Sequence, residues 1–455
     1  MKRTKLVAAR AHKSWTLEQA AERIGCAPNT LSRWELGVMT PSSFNRARLC
    51  AIYGMTTEEL GLEEEVIRLT DLPAFTGDLQ VFLNADLTMR LLALVFTPQG
   101  NPLRLQAVLS RTIEEFTMDT GHEAALTRRE ALRRLAMLPV LFGISGGMQR
   151  PLEETLRQCA AGITACEYLS KGNHEDIALA YSMLSAYLPT LKTIVKESSL
   201  YRKEAAALVT QSYIIKFLLG LHIEGTSAAT RYVRRAVAYS QESGDIILQL
   251  TALRRLTWAY LDDRQSGEAL RTIEQANHLV ENSRTPVPPR LRSSIYGTLA
   301  VMQAKNALDV TSTLPLAQEA FFASPVEYDG SLSHVDFSFA QLVRNDGLAY
   351  YYQGRYQDAL AVYTQIIDSE NFTPKAVMSE WIYTELVHLQ TMATLKNPIR
   401  DMEQVIALWK ADIRGATTLQ SQQRFEEACT AYEVMEGVWP NERRIMELRD
   451  LIVHW

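Results

Sequence analysis

Between residues 16 and 37 apolar side chains return every three or four positions, interrupted once by a glycine. Leu17, Ala20, Ala21 and Ile24 fall on one face of a helix and give it a core side and a solvent side. Thr16 is a helix N-cap, and Gln19 three residues on completes a capping box. Gly25 can take the positive φ that stops a helix in a tight turn. Pro28 suits a first helical position, where its missing N–H costs nothing. Leu31 and Trp34, three apart, point inward, which leaves Pro28, Asn29, Ser32 and Arg33 outward before Gly37 ends the second helix. The pattern predicts two short helices across a tight turn, the second one polar on its rim.

Residues 63–150 read as a helical connecting region. Asp86 caps an apolar run to Phe96, Asn101-Pro102 opens a helix reaching about Met118, and Thr127-x-x-Glu130 reads as a capping box for a helix over Arg128–Leu138. Residues 143–151, rich in glycine, form the clearest break. From 152 onward the chain reads as repeated helix pairs. The clearest runs from Asn345 to Tyr363, with Gly347 and Tyr350 in its first helix, Gly354 and Tyr356 at the turn, and Ala359 and Tyr363 in its second. Leu253-x-x-Leu256 to Tyr260, followed by Ala269-x-x-x-Ile273, keeps the same internal distances. Ala229 and Ala317 open further second helices, and Phe425-x-x-Ala428-x-x-x-Tyr432 reads as a last one. The equivalent alanines 229, 269, 317 and 359 are 40, 48 and 42 apart. Five to seven pairs fit between 152 and 455, with the final Leu-Ile-Val-His-Trp capping the open end. Strand alternation is not evident, so the expectation is an all-α chain divided at 1–62, 63–150 and 151–455.

Composition narrows this picture. At 455 residues, 47% apolar and 22% charged, the chain is expected to be globular with two or three domains. No window approaches eighteen apolar residues, so no membrane span is expected, and the basic start at Met1 to Lys5 does not read as a secretory signal. Five scattered cysteines, an odd number, suggest reduced thiols in a cytoplasm. Cys159 and Cys166 lie seven apart on one helix face; they could hold a metal or sense oxidation, but no His or third Cys joins them, which favours small core residues. Residues 1–62 hold nine Lys/Arg and five Glu, a net of +4, whereas the whole chain carries −5, so residues 63–455 carry −9. A basic head on an acidic body is the footprint of phosphate binding.

Catalytic spellings are few. Gly143-x-Ser145-x-Gly147 matches a nucleophile elbow, but the elbow needs a strand before it, and the surroundings read as helical. Arg128-Arg129 is internal and follows a complete domain, so it is not an export signal. A Walker loop, an HExxH pair, a dinucleotide fingerprint and a paired-Cys metal site are not found; a non-enzymatic chain without cofactor or metal is expected. An outward Asn and Arg on a short helix are the side chains that pair bidentately with adenine and guanine edges.

The pattern Leu17-x-x-Ala20-x-x-x-Ile24-Gly25, then Leu31-Ser32-x-Trp34-Glu35-x-Gly37-x-x-x-Pro41, resembles the Xre (lambda repressor and Cro-like) helix-turn-helix family. That resemblance implies a five-helix domain with 28–35 as recognition helix and double-stranded DNA as partner. The positions it brings to DNA are Thr16, Pro28, Asn29, Thr30, Ser32, Arg33 and Thr40. Ala27 departs from the family's usual Ser or Thr cap, a loss of about 1 kcal/mol. Pro28 cannot hydrogen-bond a base, which leaves readout to Asn29, Ser32 and Arg33. A palindromic operator with half-sites about 34 Å apart would be read by a dimer. Alternatively, the head is a docking module and the chain an interaction scaffold.

The Asn345–Tyr363 unit resembles a tetratricopeptide repeat. Stacked repeats form a solenoid whose inner face is lined by first helices. Measured from the repeat, inner positions that could grip a ligand are Gln211, Arg254, Trp258, Gln341, Arg344, Asn345 and Tyr351. An Xre head on such a body is similar to the RRNPP group of peptide-responsive regulators. That implies homodimerisation through the body and a peptide or protein effector in the groove; otherwise these residues line a solvated wall or meet a second subunit.

Overall fold

A computed structural model describes residues 4–13, 15–24, 26, 28–36, 49–50, 52–56, 59–62, 87, 91–92, 94–95, 102–115, 122–141, 152–172, 174–198, 200–323, 337–375 and 378–453. The expected features at Gly25, Ala27, Gly37, Thr40, Asp86 and Asn101, the 143–151 break with Ser145, and the final His454-Trp455 lie outside them. The chain divides into two compact units, Met1–Leu79 and Gln80–Trp455. Its described residues form an all-α fold, with one isolated β-bridge between Ile367 and Pro374.

The first unit contains α1 (Thr4–His12), α2 (Leu17–Ile24) and α3 (Pro28–Glu35), the last opening on Pro28. Leu6, Ala20, Ala21, Ile24, Leu31, Trp34, Leu49, Tyr53, Leu60 and Leu62 are buried in one core, so both helices put inward the residues that periodicity selects. The Thr16 capping box is formed: the Gln19 backbone N–H donates to Thr16 Oγ1 at 3.2 Å, and the Thr16 N–H donates to Gln19 Oε1 at 3.1 Å. A second box ties Thr56 to Glu59 in the same way.

The second unit begins with α4 (Pro102–Glu115) and α5 (His122–Leu141). Helix α5 starts before Thr127, so the expected box at 127–130 does not begin it; Thr127 sits inside a helix that also absorbs Pro139. Pairs follow: α6 (Leu152–Leu169) with α7 (His174–Glu197), α8 (Arg202–Ile223) with α9 (Thr226–Ser243), and α10 (Ile246–Asp262) with α11 (Ser266–Asn282). Next come α12 (Pro289–Lys305) with α13 (Thr313–Phe322), α14 (Phe339–Tyr352) with α15 (Tyr356–Tyr363), and α16 (Glu380–Lys396) with α17 (Met402–Leu419). Helix α18 (Gln422–Val438) begins a further turn that α19 (Arg443–Met446) and α20 (Arg449–Val453) cover through Ile445, Leu448 and Ile452.

From α6 onward, alternate helices touch one another. Helices α6, α8, α10, α12, α14, α16 and α18 make a continuous inner row, while α7, α9, α11, α13, α15 and α17 pack outside it. Helix α18 therefore lies in the inner row, not the outer row expected from Phe425, Ala428 and Tyr432; that spacing occurs on either helix of a pair. It also returns onto α8, where His222 Nδ1 lies 3.1 Å from Ser421 Oγ. Leu87, Leu105, Leu109, Leu132 and Leu135 share a core with α6 to α9, so the described part of 63–150 belongs to this unit.

The outer row needs small residues. Ala229, Ala269, Ala317 and Ala359 are all fully buried at the close approaches of their helices. At Gly347 a side chain of any size would overlap the buried Tyr363 ring, so the crossing of α14 and α15 requires glycine. Helix α8 corrects the expectation that no stretch is apolar enough for a membrane: it qualifies by length and composition. Its most apolar window is 78% buried within the unit, which is the pattern of a core helix. Cys159 and Cys166 are fully buried in α6, where burial pushes the Cys159 thiol up to about 12 and raises Cys166 as well. Arg129 and Arg133 both pair with the buried Asp176 of α7, at 2.6 and 2.7 Å.

Candidate functional site

Helix α3 is held against α1 by an ion pair. Arg10 donates through Nε to Glu35 Oε1 at 2.6 Å and through Nη2 to Oε2 at 2.9 Å, a two-pronged contact with the last residue of α3. Arg10 also donates to the carbonyl of Trp15 at 3.2 Å, so one guanidinium fixes both ends of the helix-turn-helix. The hydrogen bond that Arg10 donates to Glu35 raises the Arg10 pKa against the cost of burial. Trp15 carries Arg23 over its ring at 4.7 Å and packs against Tyr53. Burial lifts the Tyr53 phenol up to about 12.

Leu31 and Trp34 anchor α3 in the core and so turn its other face outward. On that helix Pro28 is exposed, and Thr30 and Ser32 are half-buried; Thr16 stands exposed ahead of α2. Asn29 and Arg33 lie on α3, with side chains outside the described ones, and Thr40 lies outside the described residues. Glu35 stands in the family motif, but its pairing with Arg10 was not foreseen. Their separation of 25 residues hides the pair from any local pattern.

The second unit holds a polar cavity of about 80 Å³ in its inner row. It is lined from α10 by Arg254, Arg255 and Trp258, from α14 by Gln341, Arg344 and Asn345, from α16 by Trp381 and Glu385, and from α18 by Arg424 and Glu427. Five of the seven expected inner residues thus meet at one place. Arg344 donates to Glu385 at 2.7 Å and to Asn345 Oδ1 at 3.0 Å, and its guanidinium lies over Trp258 at 4.0 Å. Arg424 pairs with Glu427 at 2.5 Å, lies 3.6 Å from the other oxygen of Glu385, and covers Trp381 at 4.6 Å. Burial alone would push the Glu385 carboxyl up, but Arg344 and Arg424 hold it below its ordinary value.

The remaining two expected residues are elsewhere. Gln211 is buried and accepts a hydrogen bond from Gln106 Nε2 at 2.7 Å, which spends it on joining α8 to α4. Tyr351 stacks edge-on with Tyr352 and Tyr356 at the end of α14. Trp381, Glu385 and Arg424 were missed because α16 carries no recognisable repeat spacing and α18 reads as an outer helix. Gln341 also accepts from the Ser338 N–H at 3.0 Å, which closes the capping box of α14 and fixes its side chain at the cavity.

Two short helices meeting across a tight turn, with an apolar inner face and a polar outer one on the second, define a helix-turn-helix class of domain. A family model described as Helix-turn-helix matches residues 6–60, and this part of the chain is an Xre-like helix-turn-helix domain, the kind found in DNA-binding regulators. No curated protein and no solved structure matches the chain.

Proposed function

We propose that this chain is a sequence-specific transcriptional regulator whose helical body dimerises and responds to an effector. The observation that carries the DNA half is the match at residues 6–60 on a segment whose net charge is +4 while the remainder carries −9. Asn29, Ser32 and Arg33 read bases, and Thr16, Thr30 and Thr40 contact phosphates around them. Substituting Asn29 and Arg33 together by alanine is expected to abolish preference for the selected operator while leaving the circular dichroism spectrum unchanged. Surviving selectivity would show that another surface reads the DNA.

The body acts as a tetratricopeptide-like array without catalytic function. Support for its sensing role is the convergence of Arg254, Trp258, Gln341, Arg344 and Asn345 on one cavity lined by four inner helices and bounded by α8. An effector bound there would have to favour one arrangement of the row over another in order to be felt at the head. The setting is the cytoplasm, where both DNA and reduced cysteines are found. A gel-shift series across salt concentration separates this reading from an interaction scaffold: a regulator loses affinity steeply as salt rises. No binding even at low salt would leave the scaffold standing.

A further inference from the structure

We infer that the inner cavity is a carboxylate-binding site, and that Arg254 and Arg255 are the groups that take the anion. The inference rests on the sensing role proposed above and names the chemistry of its ligand. Arg254 is 3% exposed, lies in the middle of α10 and lines the cavity, yet its Nε and Nη2 have no hydrogen-bond partner, and neither does Nε of Arg255. The other two cavity arginines are committed, Arg344 to Glu385 and Arg424 to Glu427 and Glu385. Asp262, two turns along α10, is exposed and forms no ion pair with Arg254 or Arg255. The attraction of Glu385 and Glu167 reaches Arg255, whereas among the described residues no carboxylate offsets the burial of Arg254.

A buried guanidinium without a counter-charge is a costly arrangement that a fold does not retain for stability alone. A carboxylate matches the guanidinium fork and would satisfy the orphaned donors in one contact. The surroundings sharpen the choice. Gln341 and Asn345 supply neutral polar groups, and Phe217, Leu221 and Phe337 give the cavity an apolar side. At about 80 Å³ it exceeds the roughly 10–15 Å³ that one water requires. It falls short of the pockets of about 300–1,000 Å³ that bury drug-sized ligands. A small organic acid fits such a space, and so does the terminal carboxyl of a peptide that reaches in.

The test is thermal unfolding of the full chain with millimolar acetate, propionate or benzoate. Each is compared with its neutral amide and with sodium chloride at equal ionic strength. Penta-alanine with a free and an amidated C-terminus supplies the peptide arm. At least one free acid is expected to raise Tm by about 2 °C or more, and its amide to do nothing. A rise with the small acids alone assigns a small-molecule ligand; a rise with the free-acid peptide alone assigns a peptide terminus. Arg254→Met should raise Tm in the absence of any acid and erase the acid-dependent rise, while Arg254→Lys should keep part of it. No rise with any acid, or an equal rise in Arg254→Met, overturns the site. The readout does not involve DNA, so the two readings fail separately. A Tm rise that leaves operator affinity unchanged would uphold the carboxylate site and refute its role as the effector switch.

Discussion

Arg10 and Glu35 show how much of the head's geometry rests on one pair of side chains. Both prongs of the guanidinium are used, and Glu35 is almost fully buried, so removing the cation leaves a carboxylate without compensation. Arg10→Met is expected to destabilise the first unit by about 2–4 kcal/mol, read as faster amide hydrogen exchange over residues 4–35 in the full chain. Unchanged exchange would mean that the apolar core alone positions α3. In the body, Gly347 is the residue of comparable weight. Gly347→Ala forces its methyl into Tyr363 and should cost about 1–3 kcal/mol or more in urea unfolding. Tyr363→Leu should recover part of that loss in the double variant. Tyr363→Phe alone should be neutral or slightly stabilising, because the buried hydroxyl has no partner to lose. At this scale the sequence was legible wherever partners sit three or four residues apart, as Thr16 with Gln19 or Leu31 with Trp34. It was illegible where they sit far apart, as Arg10 with Glu35 or Gln106 with Gln211; there only folding brings the two together.

At the scale of helices, local rules located the pairs better than they located the row each helix occupies. Four alanines at intervals of 40 to 48 marked outer helices correctly, because only a side chain that small lets an outer helix seat against its neighbours. Helix α18 defeated the same reasoning, since its alanine and tyrosine pack against Trp409 of α17 from the inner side. Two histidines make the contacts of these helices sensitive to pH in opposite directions. His222, where α8 meets α18, has its pKa pushed down to about 4 by burial and by the charges of Arg424 and His174. The unfolded chain takes up this proton below about 6.5 and the folded chain does not until about 4, so stability falls as pH drops through that window. The loss should be about 1–3 kcal/mol, and His222→Gln should flatten it in urea midpoints measured from neutral to acid pH. Burial lowers His388 too, but Asp412, 2.8 Å away, more than offsets it and leaves the pKa raised. Its contribution is fully present below the ordinary histidine value and fades as pH rises through the raised one. His388→Gln should therefore flatten the alkaline side only. If both variants change the same limb of the profile, one of these assignments is reversed.

For the whole molecule, charge is uneven along the chain: it is basic over residues 1–62 and acidic beyond them. The head of +4 and the remainder of −9 act on DNA with opposite sign, and exposed charges are felt over about 10 Å at moderate salt. If the body makes no contact with DNA, its net field can only repel the duplex. A fragment of residues 1–62, which spans the core from Leu6 to Leu62, should then bind random-sequence DNA more tightly at low salt than the full chain does. The difference should shrink as salt is raised and the repulsion is screened, while both proteins keep a similar slope of log affinity against log salt, because the same phosphates are neutralised. Such repulsion would serve a regulator, since it lowers the non-specific background against which an operator competes. The comparison is made by fluorescence anisotropy on one labelled duplex, with both proteins titrated across the same salt series. Tighter binding by the full chain, together with a steeper slope, would show instead that basic residues of the body touch the duplex. In that case the division of labour, with the head reading DNA and the body sensing the effector, would be wrong.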